Sequence, residues 1–303
     1  MRYVSFFYQG VQSYGITNEE FTEIINLPKA YYAMKKQSLL PKTLQAGIEL
    51  GEEFTMIVKD VEQWVLSNKS DEFVYHIDDR DFQLLSPVVR PQKNVFCIGK
   101  NYREHVLELG EENDVPTSLM VFSKTPTTVI GHKQNILRHG EVTNCLDYEG
   151  ELAVVIGKVG KAINMEDVYD HVFGYTILND VTARDLQKDH KQFLLGKSLD
   201  NSCPIGPILI TKDEIENPQE LTIETKVNGE VRQLSNTSYM MFDIPTIIST
   251  ISRGMTLEPG DIIATGTPAG VGKGFTPPKY LNIGDVIEVT IEKIGTLSNV
   301  VIK

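Results

Sequence analysis

In the stretch LDYEGELAVVI, residues 146–156, two glutamates stand two positions apart at the head of an apolar run. Successive side chains of a strand alternate between faces, so Glu149 and Glu151 share one face while Gly150 leaves the opposite face bare. Two like charges held this way repel, so either a cation lies between them or one carries a proton. A third acid stands out in VFGYTILNDVTARDLQ, where Asp180 follows an apolar strand at the point where a loop or short helix begins and side chains commonly face a cleft. Three carboxylates with no Cys or His pair beside them suit a hard divalent ion, magnesium or manganese, with water or substrate oxygens completing an octahedron. By residue type alone the same three acids read equally well as solvated strand ends or as partners of Arg184.

The elements that must position these acids are mostly strands. From Asn94 onward the segments VFCIG, ELAVVIG, VFGYTIL, CPIGPILI, LTIETKVNG, DIIATG and DVIEVTIEKIG recur between Gly, Pro, Asn and Asp. Helices are expected only after Asn101, near residues 165–170 and near 244–252. Strands separated by turns instead of regular crossover helices predict a β-rich α+β roll or barrel and argue against a doubly wound sheet. Residues 1–90 read as a small N-terminal α/β domain, with a strand over residues 2–8, another at 55–57, and helices over 18–25, 40–50 and 60–66. The turn-rich LLSPVVRPQK closes it, and residues 91–303 form the second domain. No chemistry is assigned to the N-terminal segment.

Composition narrows the partners. The 303 residues are 41% hydrophobic, enough to bury a sizeable core, and the formal charge of −12 without a basic run argues against nucleic acid. No apolar run reaches the length of a membrane span and no cleavable leader is recognisable, which predicts a cytoplasmic protein without a membrane partner. Three cysteines without CxxC spacing fit reduced buried thiols better than disulfides or zinc. GTPAGVGKG looks like a phosphate-binding loop, but the first required glycine is Thr267 and Lys273 is followed by Gly274, which rules the motif out. Its glycines instead let a turn pass close to bound ligand.

The ordered set IGKNYREH, DYEGELAVVIG, GYTILNDVTARDLQ, LGKSLDNSCPIGP, KVNGEVRQ and GDIIATGTPAGVG resembles the fumarylacetoacetate hydrolase family, near its acylpyruvase and oxaloacetate decarboxylase branch. The resemblance spans residues 94–303 and implies a mixed β-sandwich roll, a homodimer and one Mg2+ or Mn2+. It implies Glu149, Glu151 and Asp180 as metal ligands, His105 as the active-site histidine partnered by Glu108, and Lys197 as a lysine beside the metal. Lys124, Arg184, Gln187 and Thr267 match positions that bind substrate oxygens. On a helix His105 and Glu108, at i and i+3, share a face, so the carboxylate can orient the imidazole and stabilise its charged form. His76, His132, His139, His171 and His190 carry no such partner signal.

The function implied is metal-dependent cleavage of a carbon–carbon bond in a small 2-oxo acid, by acylpyruvate hydrolysis or oxaloacetate decarboxylation, through an enolate that the cation stabilises. The alternatives are an isomerase of a 2-hydroxy-diene-dioate and a catalytically idle scaffold. One departure from the family pattern bears on substrate choice: residues 131–146, with two histidines and a cysteine, replace a Gly- and Pro-rich loop that borders the pocket in relatives.

Overall fold

The structure is a computed structural model that describes residues 1–36 and 40–303. It is the β-rich α+β architecture the sequence predicts. Its spine is a twelve-stranded mixed sheet whose centre runs Arg2–Tyr8, Cys203–Thr211, Val172–Asn179, Gly150–Ile156, Ile262–Ala264, Val95–Gly99 and Met120–Lys124. A five-stranded sheet, Glu230–Asn236, Thr222–Val227, Val286–Ile291, Gly295–Ile302 and Asn135–Leu137, packs against the strands Gly150–Ile156, Val172–Asn179 and Cys203–Thr211. Their apolar faces meet in a core that includes Leu152, Val154, Ile177, Ile223, Val289 and Leu297.

Gly150 sits at the contact between the two sheets. Its missing side chain faces away from the glutamates, and a Cβ there would run into Thr225 and come within 2.9 Å of Val289 Cγ1. The backbone N–H of Gly150 instead donates to Gln233 Oε1 of the second sheet at 3.0 Å. Glycine is therefore required between the two acids for packing: one face of this strand carries charge and the other meets a sheet at close range.

The N-terminal segment departs from expectation at two places. Residues 18–25 are a turn and a strand: Asn18 Oδ1 accepts from the backbone N–H groups of Thr22 and Glu23, and Glu23–Asn26 then pairs antiparallel with Val11–Thr17. Asn18 thus starts a hairpin turn and no helix forms there. Residues 55–57 are helical, inside Glu52–Asn68, because Phe54, Val58, Val61 and Val65 recur at intervals of four, three and four and are all buried. The expected helices at 40–50 and 60–66 are present as Leu44–Ile48 and as part of Glu52–Asn68. The strand Arg2–Tyr8 pairs with Cys203–Thr211, so the N-terminal strands extend the central sheet. Among the described residues no helix is long and apolar enough to cross a membrane.

Replacing Gly150 by alanine should overpack the junction and cost about 1–3 kcal/mol, lowering Tm by several degrees. An unchanged Tm by calorimetry would show that the sheets meet elsewhere.

Candidate metal centre and active site

Register delivers the three acids to one place. Gly150 pairs with Asn179 and Glu151 with Leu178, so the residue after the strand, Asp180, falls opposite Glu149, and its N–H donates to the Glu149 carbonyl at 2.8 Å. One oxygen from each of Glu149, Glu151 and Asp180 lies within 4.8 Å of the others, and all three side chains are buried.

Buried charge must be compensated, and here two lysines and an arginine do so. Lys197 Nζ lies 2.7 Å from both Glu149 Oε2 and Asp180 Oδ2, and 4.8 Å from the Phe122 ring centre. Arg184 Nη1 lies 2.5 Å from Glu149 Oε1. Burial alone would push the Glu149 carboxyl up, but the charges of Lys197 and Arg184, with a smaller contribution from His105, hold it below the usual carboxylate range. Among the described residues Glu151 accepts only from the Gly266 N–H, at 2.7 Å, and burial followed by the Asp180 and Glu149 charges pushes its carboxyl well above that range. Lysine and arginine charges thus serve Glu149, while Glu151 has no ion-pair partner among the described residues.

The donor set fits a hard divalent cation. Among the described residues Asp180 Oδ1 lies 2.9 Å from Lys124 Nζ without meeting hydrogen-bond geometry, and Glu151 forms no ion pair. A small oxygen-seeking ion would serve both atoms, and all ligands would be carboxylates.

Glu149, Glu151, Lys197, Arg184, Gln187, Thr267 and His105 line one cavity of about 250 Å³. That is below the range of drug-sized sites and suits a small acid. His105 and Glu108 lie on the helix Arg103–Leu109, with Nδ1 3.3 Å from Oε2, and Glu108 Oε1 accepts from Gly270 N–H at 2.9 Å. Lys124 lies behind the acids and off the cavity wall, donating to the carbonyls of Val181 (2.9 Å) and Lys197. Thr267 Oγ1 is tied to the Gly150 carbonyl and to Gln233 Nε2, both internal contacts.

The short helices Arg184–His190, where a loop or short helix is expected after Asp180, and Leu194–Lys197, which the strand-dominated pattern did not predict, place Arg184, Gln187 and Lys197. Residues 131–146 do not line the cavity; they act at one remove, where Thr143 Oγ1 and Asn144 N–H hold the Asp185 carboxylate at the start of the first of these helices. Sequence reasoning missed Asp147, Lys188 and Lys273. Asp147 lies two residues before Glu149 in the same motif, Lys188 one turn after Arg184, and Lys273 in the loop set aside as a false phosphate site. Cys97 and Cys203 are buried and burial pushes their thiols up, Cys203 to about 12, so neither is a ready nucleophile.

The family description "Fumarylacetoacetate (FAA) hydrolase C-terminal" matches residues 94–302. The chain belongs to the fumarylacetoacetate hydrolase family. Among its relatives in that family is oxaloacetate tautomerase YisK of Bacillus subtilis (strain 168), 54% identical over 280 residues that cover 91% of this chain and 92% of that protein. Among solved structures, a fumarylacetoacetate hydrolase from psychrophilic Exiguobacterium antarcticum superposes with TM-score 0.84 at 41% identity, over 100% of this chain and 99% of that one. A 2-hydroxyhepta-2,4-diene-1,7-dioate isomerase from Mycobacterium marinum gives TM-score 0.62 at 38% identity, over 73% and 78% respectively.

Glu149→Gln, Glu151→Gln and Asp180→Asn each remove a charge from the hard-ion set. Each should weaken Mn2+ binding by more than roughly ten-fold, the low end of what losing even an outer-shell partner costs, with the far-UV circular dichroism unchanged. Calorimetry showing wild-type affinity in all three variants would refute the triad.

Proposed function

We propose that this protein moves a proton between C3 and the C2 oxygen of a small oxaloacetate-like 2-oxo acid, interconverting its keto and enol forms. The observation that carries this reading is His105, backed by Glu108, on the wall of the cavity that Glu149 and Glu151 also line; the 54% identity to an oxaloacetate tautomerase supports it. Magnesium or manganese held by Glu149, Glu151 and Asp180 would supply Lewis-acid polarisation of the substrate's keto and carboxylate oxygens.

The chain's own residues do the rest. Glu108, anchored by Gly270, accepts from His105 Nδ1 and so leaves Nε2 as the basic nitrogen on the cavity side. Nε2 takes the C3 proton as the C3–H bond breaks and returns it to the C2 oxygen, and Glu108 stabilises the imidazolium in between. Burial works against a charged Lys197, but Asp180 and Glu149 outweigh it and keep the ammonium protonated, so its role is electrostatic, at the oxygen where negative charge grows, and it is not a base. Arg184 and Gln187 hold the substrate's carboxylate oxygens.

Carbon–carbon cleavage is the second reading. Oxaloacetate decarboxylation passes through the same enolate, and the same pair could activate water against an acylpyruvate; the structural match to a fumarylacetoacetate hydrolase favours keeping it. The two separate in one assay on the Mg2+-loaded protein: ultraviolet absorbance follows the oxaloacetate enol, and coupled reduction follows pyruvate. The proposal expects accelerated loss of enol with little pyruvate. Pyruvate appearing at the rate of enol loss would favour cleavage, and acceleration of neither would defeat both.

His105→Ala should slow the tautomerisation by about 10²–10⁴-fold, the usual worth of a positioned acid–base group, while Mn2+ and oxalate binding persist. Wild-type turnover, or joint loss of metal and oxalate, would remove His105 from the role of base.

A further inference from the structure

Once the acids, Lys197 and the His105–Glu108 pair have their roles, two ammonium groups and one N–H donor of Arg184 remain on the cavity wall. Arg184, 4% exposed, uses Nε on Asp147 at 2.8 Å and Nη1 on Glu149 at 2.5 Å and Gln187 at 3.3 Å. Its Nη2 is buried with no partner among the described residues. Lys188 follows Arg184 by four positions on the helix Arg184–His190, so the two share a face, and Lys273 reaches the same cavity from the loop after Ile262–Ala264. Neither ammonium forms an ion pair among the described residues, in contrast to Lys197 and Lys124.

Exposed lysines are usually just solvated charges. The difference here lies in how they are held. Asp147, fully buried, accepts Arg184 Nε with Oδ2, Gly272 N–H with Oδ1 at 2.7 Å and Lys273 N–H with Oδ2 at 3.0 Å. One carboxylate therefore fixes both the guanidinium and the backbone from which Lys273 extends. The Lys273 ammonium is pushed below the ordinary lysine range by burial and then by the Arg184 charge, with Lys188 adding to it and Asp147 offsetting part. Two ammonium groups, unpaired among the described residues, thus share the cavity wall with an arginine that keeps one unused N–H donor, an arrangement that an anion would complete.

We infer that Lys273, with Lys188 and Arg184 Nη2, receives a second carboxylate of the substrate, so that the site selects 2-oxo dicarboxylates over 2-oxo monocarboxylates. The inference rests on the 2-oxo acid reading above and adds the group that decides specificity. Oxaloacetate carries the second carboxylate; pyruvate is the same acid without it.

The test is ligand binding to the Mn2+-loaded protein, read at low temperature from the change in Mn2+-driven water-proton relaxation, with oxaloacetate, pyruvate and oxalate as probes. In the wild type oxaloacetate should bind more tightly than pyruvate. Lys273→Met should shrink that preference by roughly ten-fold or more, the worth of a charge-assisted contact. Lys188→Met should shrink it less, Lys273→Arg should retain most of it, and oxalate should bind all variants alike. A preference unchanged in both methionine variants overturns the inference, as does a Lys273→Met variant that loses oxalate and pyruvate to the same degree as oxaloacetate. Binding of none of the three acids by the wild type overturns the 2-oxo acid reading and this inference with it, whereas binding without an effect at Lys273 overturns this inference alone.

Discussion

Three carboxylates buried within 4.8 Å of one another are the constraint on which the rest of the site depends. Removing a carboxylate from water costs several kcal/mol even after relaxation, and three together add mutual repulsion. The fold meets this by bringing Lys197, Lys124 and Arg184 to the same point from three different elements, with Lys197 spanning Glu149 and Asp180. Compensation is least complete at Glu151, whose carboxyl is pushed up and which forms no ion pair among the described residues, whereas Asp180 Oδ1 faces the Lys124 ammonium at 2.9 Å. Glu151 is therefore where a divalent cation gains most.

The same constraint explains the surrounding architecture. Antiparallel pairing of Gly150–Ile156 with Val172–Asn179 is what sets Asp180 opposite Glu149, and the strand Ile262–Ala264 brings Gly266 N–H to Glu151. Gly150 lets the second sheet approach from behind, and Gln233 of that sheet reaches through to Thr267 and Pro268. Asp147 then ties the loop containing Lys273 to Arg184. A set of rigid hydrogen-bonded contacts thus runs from the sheet junction to the cavity wall, which is how a pocket of this size holds charged groups in fixed positions.

The parts of this that the sequence makes legible are those governed by local pattern. Apolar runs mark the central strands, alternation places Glu149 and Glu151 on one face, and i, i+3 spacing pairs His105 with Glu108. What local pattern misses depends on distant partners. Asn18 could have opened a helix and opens a hairpin turn because Val11–Thr17 is there to pair with. Thr55, Met56 and Ile57 look like a strand until the longer 54, 58, 61, 65 period is counted. Lys124 looks like a substrate ligand, yet tertiary packing puts it behind Asp180 with its ammonium on backbone carbonyls. Lys273 is set aside with a false motif, and only the folded loop brings it near Arg184.

The central claim is that the three acids hold one divalent ion in place of part of their lysine compensation. Anomalous diffraction from a crystal soaked in Mn2+ tests it most directly. The account predicts a single strong peak within coordination distance of Glu149, Glu151 and Asp180, about 2.0–2.3 Å for a hard cation with oxygen ligands, with Lys197 Nζ drawn away from at least one of its two carboxylates. A peak at other residues, or none while Lys197 still bridges Glu149 and Asp180, would contradict it.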